Sequence, residues 1–427
     1  MASSLMWLRH CGQVPLGLTS VVRRLAVLSL HTSPLAQPGA GDGGGMNVYV
    51  RELSSALARA GIDCDVYTRA WHEGLAPVVE VERGFRVHHV VAGPVEPVAK
   101  EHLPELLPEF TAAVRRRLET TETAELIHAN YWLSGVAGHE IKHALELPLV
   151  STFHTLARVK AEASCDEPQP EERARAELQT IGCSDAILAS TFEERAQLER
   201  LYGADPDRIE IVTPGVDHRW FSPGSRADAR AALGLDGGPV LLFVGRIQAL
   251  KGADVAVRAV AGLNGRRATL VVVGGPSGPD GEGELDRLHR LVDDCGLERR
   301  VRFVPAQPHH QLATYYRAAD ACLVPSRSES FGLVALEAAA CGTPVVAAAV
   351  GGLRTVVDHA HTGFLVEGRD PAAFAAYMGE ILDNPRLAAE MSSNAAARAL
   401  RYRWSITAAR LRRIYADLAA RQLVECP

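Results

Sequence analysis

No apolar run in the 427 residues approaches the roughly 18 that cross a membrane as a helix. The first two dozen residues carry Arg9, Arg23 and Arg24 but no clean apolar stretch ending in small residues, so a secretory leader is not expected. Residues 1–23 read as a flexible extension, and a cytoplasmic location follows by default. Nor is there a long run of one charge sign. The formal net charge of −6 argues against a nucleic-acid partner, while leaving room for a local basic pocket. The eight cysteines (Cys11, Cys64, Cys165, Cys183, Cys295, Cys322, Cys341 and Cys426) form no CxxC pair and no metal-ligand spacing. Most lie in apolar runs, and they are expected to be small buried hydrophobes in a reducing compartment.

What is present is alternation. Hydrophobic residues make up 47% and charged residues 22%, a globular balance, and the length is too great for one ordinary core. Candidate strands fall at 25–30, 64–69, 85–93, 126–130, 148–154, 186–190 and 209–215, then at 240–246, 268–275, 301–307, 321–326, 343–349 and 363–367. Helical patterns lie between them. This predicts an α/β fold of two doubly wound parallel-sheet domains. Pro214, Gly215, Pro223 and Gly224 punctuate the boundary. The first domain is expected over 24–213 and the second over 214–404. A last helix, about 405–423, is expected to pack back on the first.

Four stretches carry chemistry. Gly39, Gly41, Gly43, Gly44 and Gly45 fall between the first strand and an amphipathic helix bearing Val50, Leu53 and Leu57 on one face. That is the ligand edge of an open α/β sheet, where bare backbone lets a ligand approach. The cluster lacks the GK[ST] ending of a Walker A loop, and Asp42 and Asn47 flank it with groups suited to hydroxyls. Arg246 and Lys251, in "GRIQALKG", suit a diphosphate at a strand end. Glu329 and Glu337, read on one helix, would sit about 12 Å apart along its axis and about 80° apart around it. They would hold diols at opposite ends of an elongated ligand, with the Phe331–Val334 amides facing a diphosphate. His154 and Thr155 end a further strand.

Together, "GRIQALKG" and "ESFGLVALEAAACGTPVVAAAVGG" resemble the retaining glycosyltransferases of family four, over about residues 24–420. That resemblance implies the GT-B fold, two Rossmann-like domains facing each other across a cleft. The stretches "HTSPLAQPGAGDGGGMNVYV", "YWLSG", "HTLARVK" and "GGPSG" are similar to one branch of the family. Members of that branch move N-acetylglucosamine from UDP-N-acetylglucosamine to 1D-myo-inositol 3-phosphate in mycothiol synthesis in actinobacteria.

Residue roles follow from the resemblance. Lys100, Tyr131, Thr155 and Arg173 would bind the acceptor phosphate. His31, Asp42, Gly43, Gly44, Gly45, Met46 and Asn47 would touch the cyclitol. Gln37, Pro38 and Gly45 would border the UDP-sugar donor, Arg246 and Lys251 would hold its diphosphate, Glu329 the sugar, Glu337 the ribose, and Gln307 the uracil. His154, Arg246, Lys251 and Glu329 would form the catalytic set. Carbonyls of Tyr316, Arg317, Ala319 and Thr343 match a structural magnesium site, although the chemistry needs no cofactor. A homodimer is also implied. Asn130 and Phe153 depart from the usual family residues and are expected to line the acceptor region. A different acceptor, a sugar phosphate or a natural-product aglycone, stays open. So does a non-catalytic nucleotide-sugar sensor, whose signature would be loss of Arg246, Lys251 or the two glutamates.

Overall fold

The computed structural model describes residues 22–426 except 40, 42, 121–122, 164–170, 236, 264 and 279. Asp42, Cys11, Cys165 and nearly all of the expected extension at 1–23 therefore lie outside the described residues.

The first sheet has eight strands: β1 (Arg24–Leu28), β2 (Asp63–Arg69), β3 (Val78–Glu82), β4 (Phe85–Val90), β5 (Leu126–Asn130), β6 (Leu149–Thr152), β7 (Ala186–Ala189) and β8 (Ile209–Ile211). Their spatial order is β3-β4-β2-β1-β5-β6-β7-β8. All pairings are parallel except β3 against β4. The antiparallel edge strand β3 was not among the expected strands. Its sequence, VVEVE, has no fully buried residue and carries two glutamates, as suits an edge.

The second sheet has six parallel strands: β9 (Val240–Val244), β10 (Thr269–Val273), β11 (Val301–Val304), β12 (Ala321–Val324), β13 (Val345–Ala348) and β14 (Gly363–Val366). They are ordered β11-β10-β9-β12-β13-β14. Leu241, Phe243, Leu270 and Val272 enter one core, whereas Val240, Leu242, Val271 and Val273 enter the other. Alternate residues thus bury both faces, and this is why these strands read as unbroken apolar runs.

The chain crosses between the sheets twice, side by side. Val216 pairs with Arg403, and its N–H donates to Tyr402 O at 3.2 Å. A Cβ on Gly215 would lie 2.2 Å from Trp404 N, so the two crossings touch where only glycine fits. The final helix, Trp404–Ala419, packs on Gly45–Arg59 of the first domain. Trp404, Leu411, Tyr415 and Leu418 share a core with Tyr49, Leu53 and Leu57.

Two features differ from what the sequence predicts. The helix predicted to carry both glutamates begins only at Leu333, behind Gly332 at φ +98°, so Glu329 sits on the loop before it. Cys64, Cys322 and Cys341 are buried free thiols, as expected, but Cys183 and Cys426 are bonded across 243 residues of sequence. Their spacing gave no signal because folding alone brings them together.

Candidate active site

The C-terminal ends of the two sheets face each other. Gly275 N–H donates to Gly39 O at 2.9 Å, and Gln37 Nε2 donates to Ala306 O at 2.7 Å. Ser330 Oγ donates to the His154 carbonyl. A side chain on Gly44 would come within 3.4 Å of Arg246 Nε, and one on Gly45 within 3.6 Å of Leu333. The glycine loop therefore lies against the second domain's cationic strand end, close enough that a methyl at Gly44 would just touch the Arg246 guanidinium. Asn47 is buried. Its amide accepts from Gly44 N–H at 2.8 Å and donates to Thr32 Oγ1 and Ser33 O, both at 2.6 Å. It holds the loop in shape, where the sequence suggested a ligand contact. Met46 packs on the core beneath its helix.

On the first-domain wall, the His31 ring lies 4.3 Å from the Tyr131 ring, and the Arg173 guanidinium lies 5.1 Å over that ring. Burial, then the charges of Arg246, Arg173 and Lys100, push the His31 pKa down to about 3. Three cations from distant parts of the chain thus act on one spot. Arg173 is aimed by Glu177, at 2.8 Å, and donates to Thr155 O and Oγ1 at 2.9 and 3.1 Å. Lys100 is exposed at the rim.

His154, at φ +60°, leaves the end of β6, and its Nε2 pairs with Asn130 Oδ1 at 2.9 Å. Burial, with His128 and His31 nearby, pushes its pKa down to about 3, so the ring is neutral. His128 is likewise pushed down to about 3 by burial and is braced by Tyr415 OH, 2.9 Å, from the final helix. Phe153 does not line this wall. Strand β6 ends at Thr152, and Phe153 turns into a core with Leu156, Ile187 and Leu198.

On the second-domain wall, Arg246 follows β9 and donates to Ser277 Oγ at 3.3 Å. Lys251 and Glu329 form a 2.6 Å ion pair, and Ser326 Oγ lies 3.4 Å from the same carboxylate. Glu337 is buried, bonded to Tyr316 OH at 2.9 Å and His309 Nε2 at 2.7 Å. Burial works against the charged form of His309, yet the Glu337 carboxylate outweighs it and raises the His309 pKa. Between the walls lies a pocket lined by Thr155, Lys160 and Glu194 on one side and Arg327, Glu329 and Ser330 on the other. Burial pushes the Glu194 carboxyl up to about 7, against the pull of the Ser190 N–H.

The model for "Glycosyltransferase Family 4" matches residues 43–220, and that for "Glycosyl transferases group 1" matches 225–398. A D-inositol 3-phosphate glycosyltransferase of Acidothermus cellulolyticus is 48% identical over 409 residues, covering 93% of this chain and 91% of that protein. The chain belongs to the family-4 glycosyltransferases. A second relative of the same description, from Mycolicibacterium smegmatis, is 49% identical over 390 residues, covering 90% of this chain and 89% of its own. Among solved structures, a sucrose-phosphate synthase from Thermosynechococcus elongatus superposes with a TM-score of 0.88 at 36% identity, covering 93% of this chain and 99% of that one. Anabaena HepE, solved with UDP and glucose, reaches 0.75 at 19% identity, over 92% of this chain and all of that one, a likeness of fold alone. The two facing Rossmann-like domains are the GT-B architecture of this family.

For a family-4 enzyme, the residues inferred from sequence meet as two groups. His31, the glycine loop, Lys100, Tyr131, His154, Thr155 and Arg173 form one wall. Arg246, Lys251, Glu329 and the start of the Leu333–Ala340 helix form the other. Pro38 lies at the junction, and Gln307, whose Nε2 donates to Pro305 O, follows the Ala306 contact. Glu337 lies deeper, one turn into that helix. Tyr316, Arg317, Ala319 and Thr343 do cluster, but the Tyr316 carbonyl already accepts from Thr343 Oγ1 at 2.6 Å and Ala319 N–H at 3.1 Å. With both its lone pairs engaged, the Tyr316 carbonyl as it stands is not offered to a magnesium ion. Sequence reasoning missed His309, Glu177 and Ser277. For His309 a signal existed, since a glutamate on an Ala-rich buried helix needs a polar partner. Among the described residues, no helix is long and apolar enough to cross a membrane.

Proposed function

We propose that this chain transfers N-acetylglucosamine, with retention, from UDP-N-acetylglucosamine to 1D-myo-inositol 3-phosphate, the first step of mycothiol synthesis. The observation that carries the reading is the convergence of Arg246, Arg173 and Lys100 on a neutral His31. A site so built favours anions from both sides: the donor diphosphate at Arg246 and the acceptor phosphate at Arg173 and Lys100. Glu177 holds Arg173 in place before the acceptor arrives. The relatives' described acceptor, an inositol phosphate, fits the same electrostatics.

In this reading the acceptor hydroxyl attacks the anomeric carbon from the face the diphosphate leaves. The new C–O bond forms as the old one breaks, and the departing diphosphate oxygen takes the hydroxyl proton. Arg246, Lys251 and the amides at the start of the Leu333–Ala340 helix stabilise the charge growing on that diphosphate. Glu329 holds the sugar hydroxyls and orients Lys251. Neutral His154, fixed by Asn130, positions the sugar. No metal enters, so a chelator leaves turnover unchanged. A homodimer accompanies the reading, and sedimentation equilibrium checks it.

The test is UDP release from UDP-N-acetylglucosamine, with and without 1D-myo-inositol 3-phosphate, and mass spectrometry of the product. Acceptor-dependent release with a glycosylated inositol phosphate is expected; release indifferent to the acceptor overturns it. A second reading, a sugar-phosphate acceptor, is favoured by the 36% identity to the sucrose-phosphate synthase. It predicts release with a hexose phosphate and none with the inositol phosphate.

A further inference from the structure

Away from the cleft, where β7 begins, four ligand-type side chains meet. His139 and His143 are one turn apart on the helix Trp132–Leu145, so their imidazoles share a face. Cys183 ends the helix Glu171–Cys183, and Cys426 arrives from the tail beyond the final helix. His143 Nε2 lies 3.0 Å and His139 Nε2 3.6 Å from Cys426 Sγ. One ligand atom from each of the four lies within 4.8 Å of the others. The two sulfurs are bonded to each other. That bond employs two of the groups and gives the imidazoles directed at the sulfur no task.

The tail is held by other contacts as well. Asp185 Oδ1 accepts from Val424 N–H at 2.7 Å, while its Oδ2 meets Lys142 Nζ at 2.8 Å. Lys142 also donates to the Cys183 carbonyl at 2.8 Å. Cys426 is thus kept beside Cys183 and the two histidines even when the sulfurs are apart.

We propose that, in the reduced chain, His139, His143, Cys183 and Cys426 bind one zinc ion. Two thiolates and two imidazoles are a tetrahedral structural zinc set. With Zn–S near 2.3 Å and Zn–N near 2.0–2.1 Å, tetrahedral geometry places ligand atoms about 3.3–3.8 Å apart. The imidazole–sulfur distances already approach that spacing, so the main change is separation of the sulfurs. Binding releases two thiol protons, and the two thiolates cancel the charge of the ion. Disulfide and zinc site are alternative states of one cluster. Two equivalents of a small-molecule thiol convert the first to the second: they supply two electrons and two protons to the cysteine sulfurs and leave as their own disulfide.

Zinc content and affinity of the full-length protein, stripped with chelator in excess thiol and titrated with zinc against a chromophoric competitor, test this. About one zinc per reduced chain is expected, and cobalt in its place should show the visible bands of a tetrahedral thiolate site. His143 is exposed, so His143→Ala should keep the fold. It should weaken zinc binding by more than about a hundredfold, beyond the loss of an outer-sphere partner, yet leave the disulfide free to form under oxidation. Cys426→Ser should lose both. A reduced wild-type chain that takes up no zinc, or a His143→Ala chain that binds it as tightly, overturns the proposal and leaves a plain disulfide.

Discussion

The two walls of the cleft reach the same edge by opposite means. The second-domain wall draws its polar groups mainly from two short stretches, 246–251 and 329–337, and balances their charges internally. Lys251 pairs with Glu329, and Glu337 with His309. The first-domain wall collects residues 31, 43–47, 100, 131, 154–155 and 173 from separate elements. Its histidines are held neutral, and its cations converge. One wall exchanges an existing ion pair for a ligand. The other gathers Arg173 and Lys100, each with a carboxylate from its own neighbourhood, Glu177 and Glu101, toward one spot beside His31.

Removing Arg246 should break this contrast most severely, because it is the cation felt by both walls. Arg246→Ala is expected to lower kcat about a hundredfold, on the order of 3 kcal/mol of transition-state stabilisation, with little change in donor KM. Steady-state kinetics check this, and unchanged turnover would remove its role. Lys100→Ala touches only the first wall. It should raise the KM for a phosphorylated acceptor about tenfold, the scale of one charge-assisted hydrogen bond, and leave the donor KM alone. Equal effects on both substrates would erase the distinction between the walls.

Acidity should separate the walls more gently. His31, His128 and His154 have folded pKa values near 3, below the unfolded value near 6.5. The unfolded chain therefore binds more protons between these values, and first-domain stability falls as pH drops below about 6.5. His309 is shifted upward. Its contribution is complete below its unfolded pKa and fades as pH rises through the folded one. Hydrogen exchange at pH 7 and pH 5 should show protection lost first around β5 and β6; loss beginning around Glu337 would reverse the assignment. The smallest effect is expected at Phe153, which faces the core. Phe153→Leu should cost about 1 kcal/mol of stability and leave acceptor KM and acceptor preference unchanged. A changed preference would return Phe153 to the acceptor wall.

The same contrast governs what the sequence disclosed. Residues 246–251 and 329–337 carry their chemistry in contiguous motifs, so the second wall could be read along the chain. The placing of Glu329 on a helix failed because Gly332 starts that helix in a left-handed conformation that spacing does not reveal. The first wall depends on tertiary neighbours. Lys100 and Arg173 were named through family resemblance alone, and nothing local says that Asn47 spends its amide inside the loop or that Phe153 turns inward. Parallel-sheet alternation made the domains legible, yet β3 escaped because a charged edge strand resembles a loop. The meeting of Cys183 with Cys426 was invisible for the reason that Arg173 and Lys100 were: sequence distance hides what closure brings together.

The paired crossings at Val216 and Arg403 bear on mechanics. A single linker would act as a ball joint, free to swivel and twist. Two straps bonded side by side, with Gly215 set flush against Trp404, act as the pin of a door. Swivelling one sheet against the other would strain both straps at once, so the joint itself favours the placement of Gly44 beside Arg246. Registration of the two walls is inherited from the joint, and the substrates need not provide it.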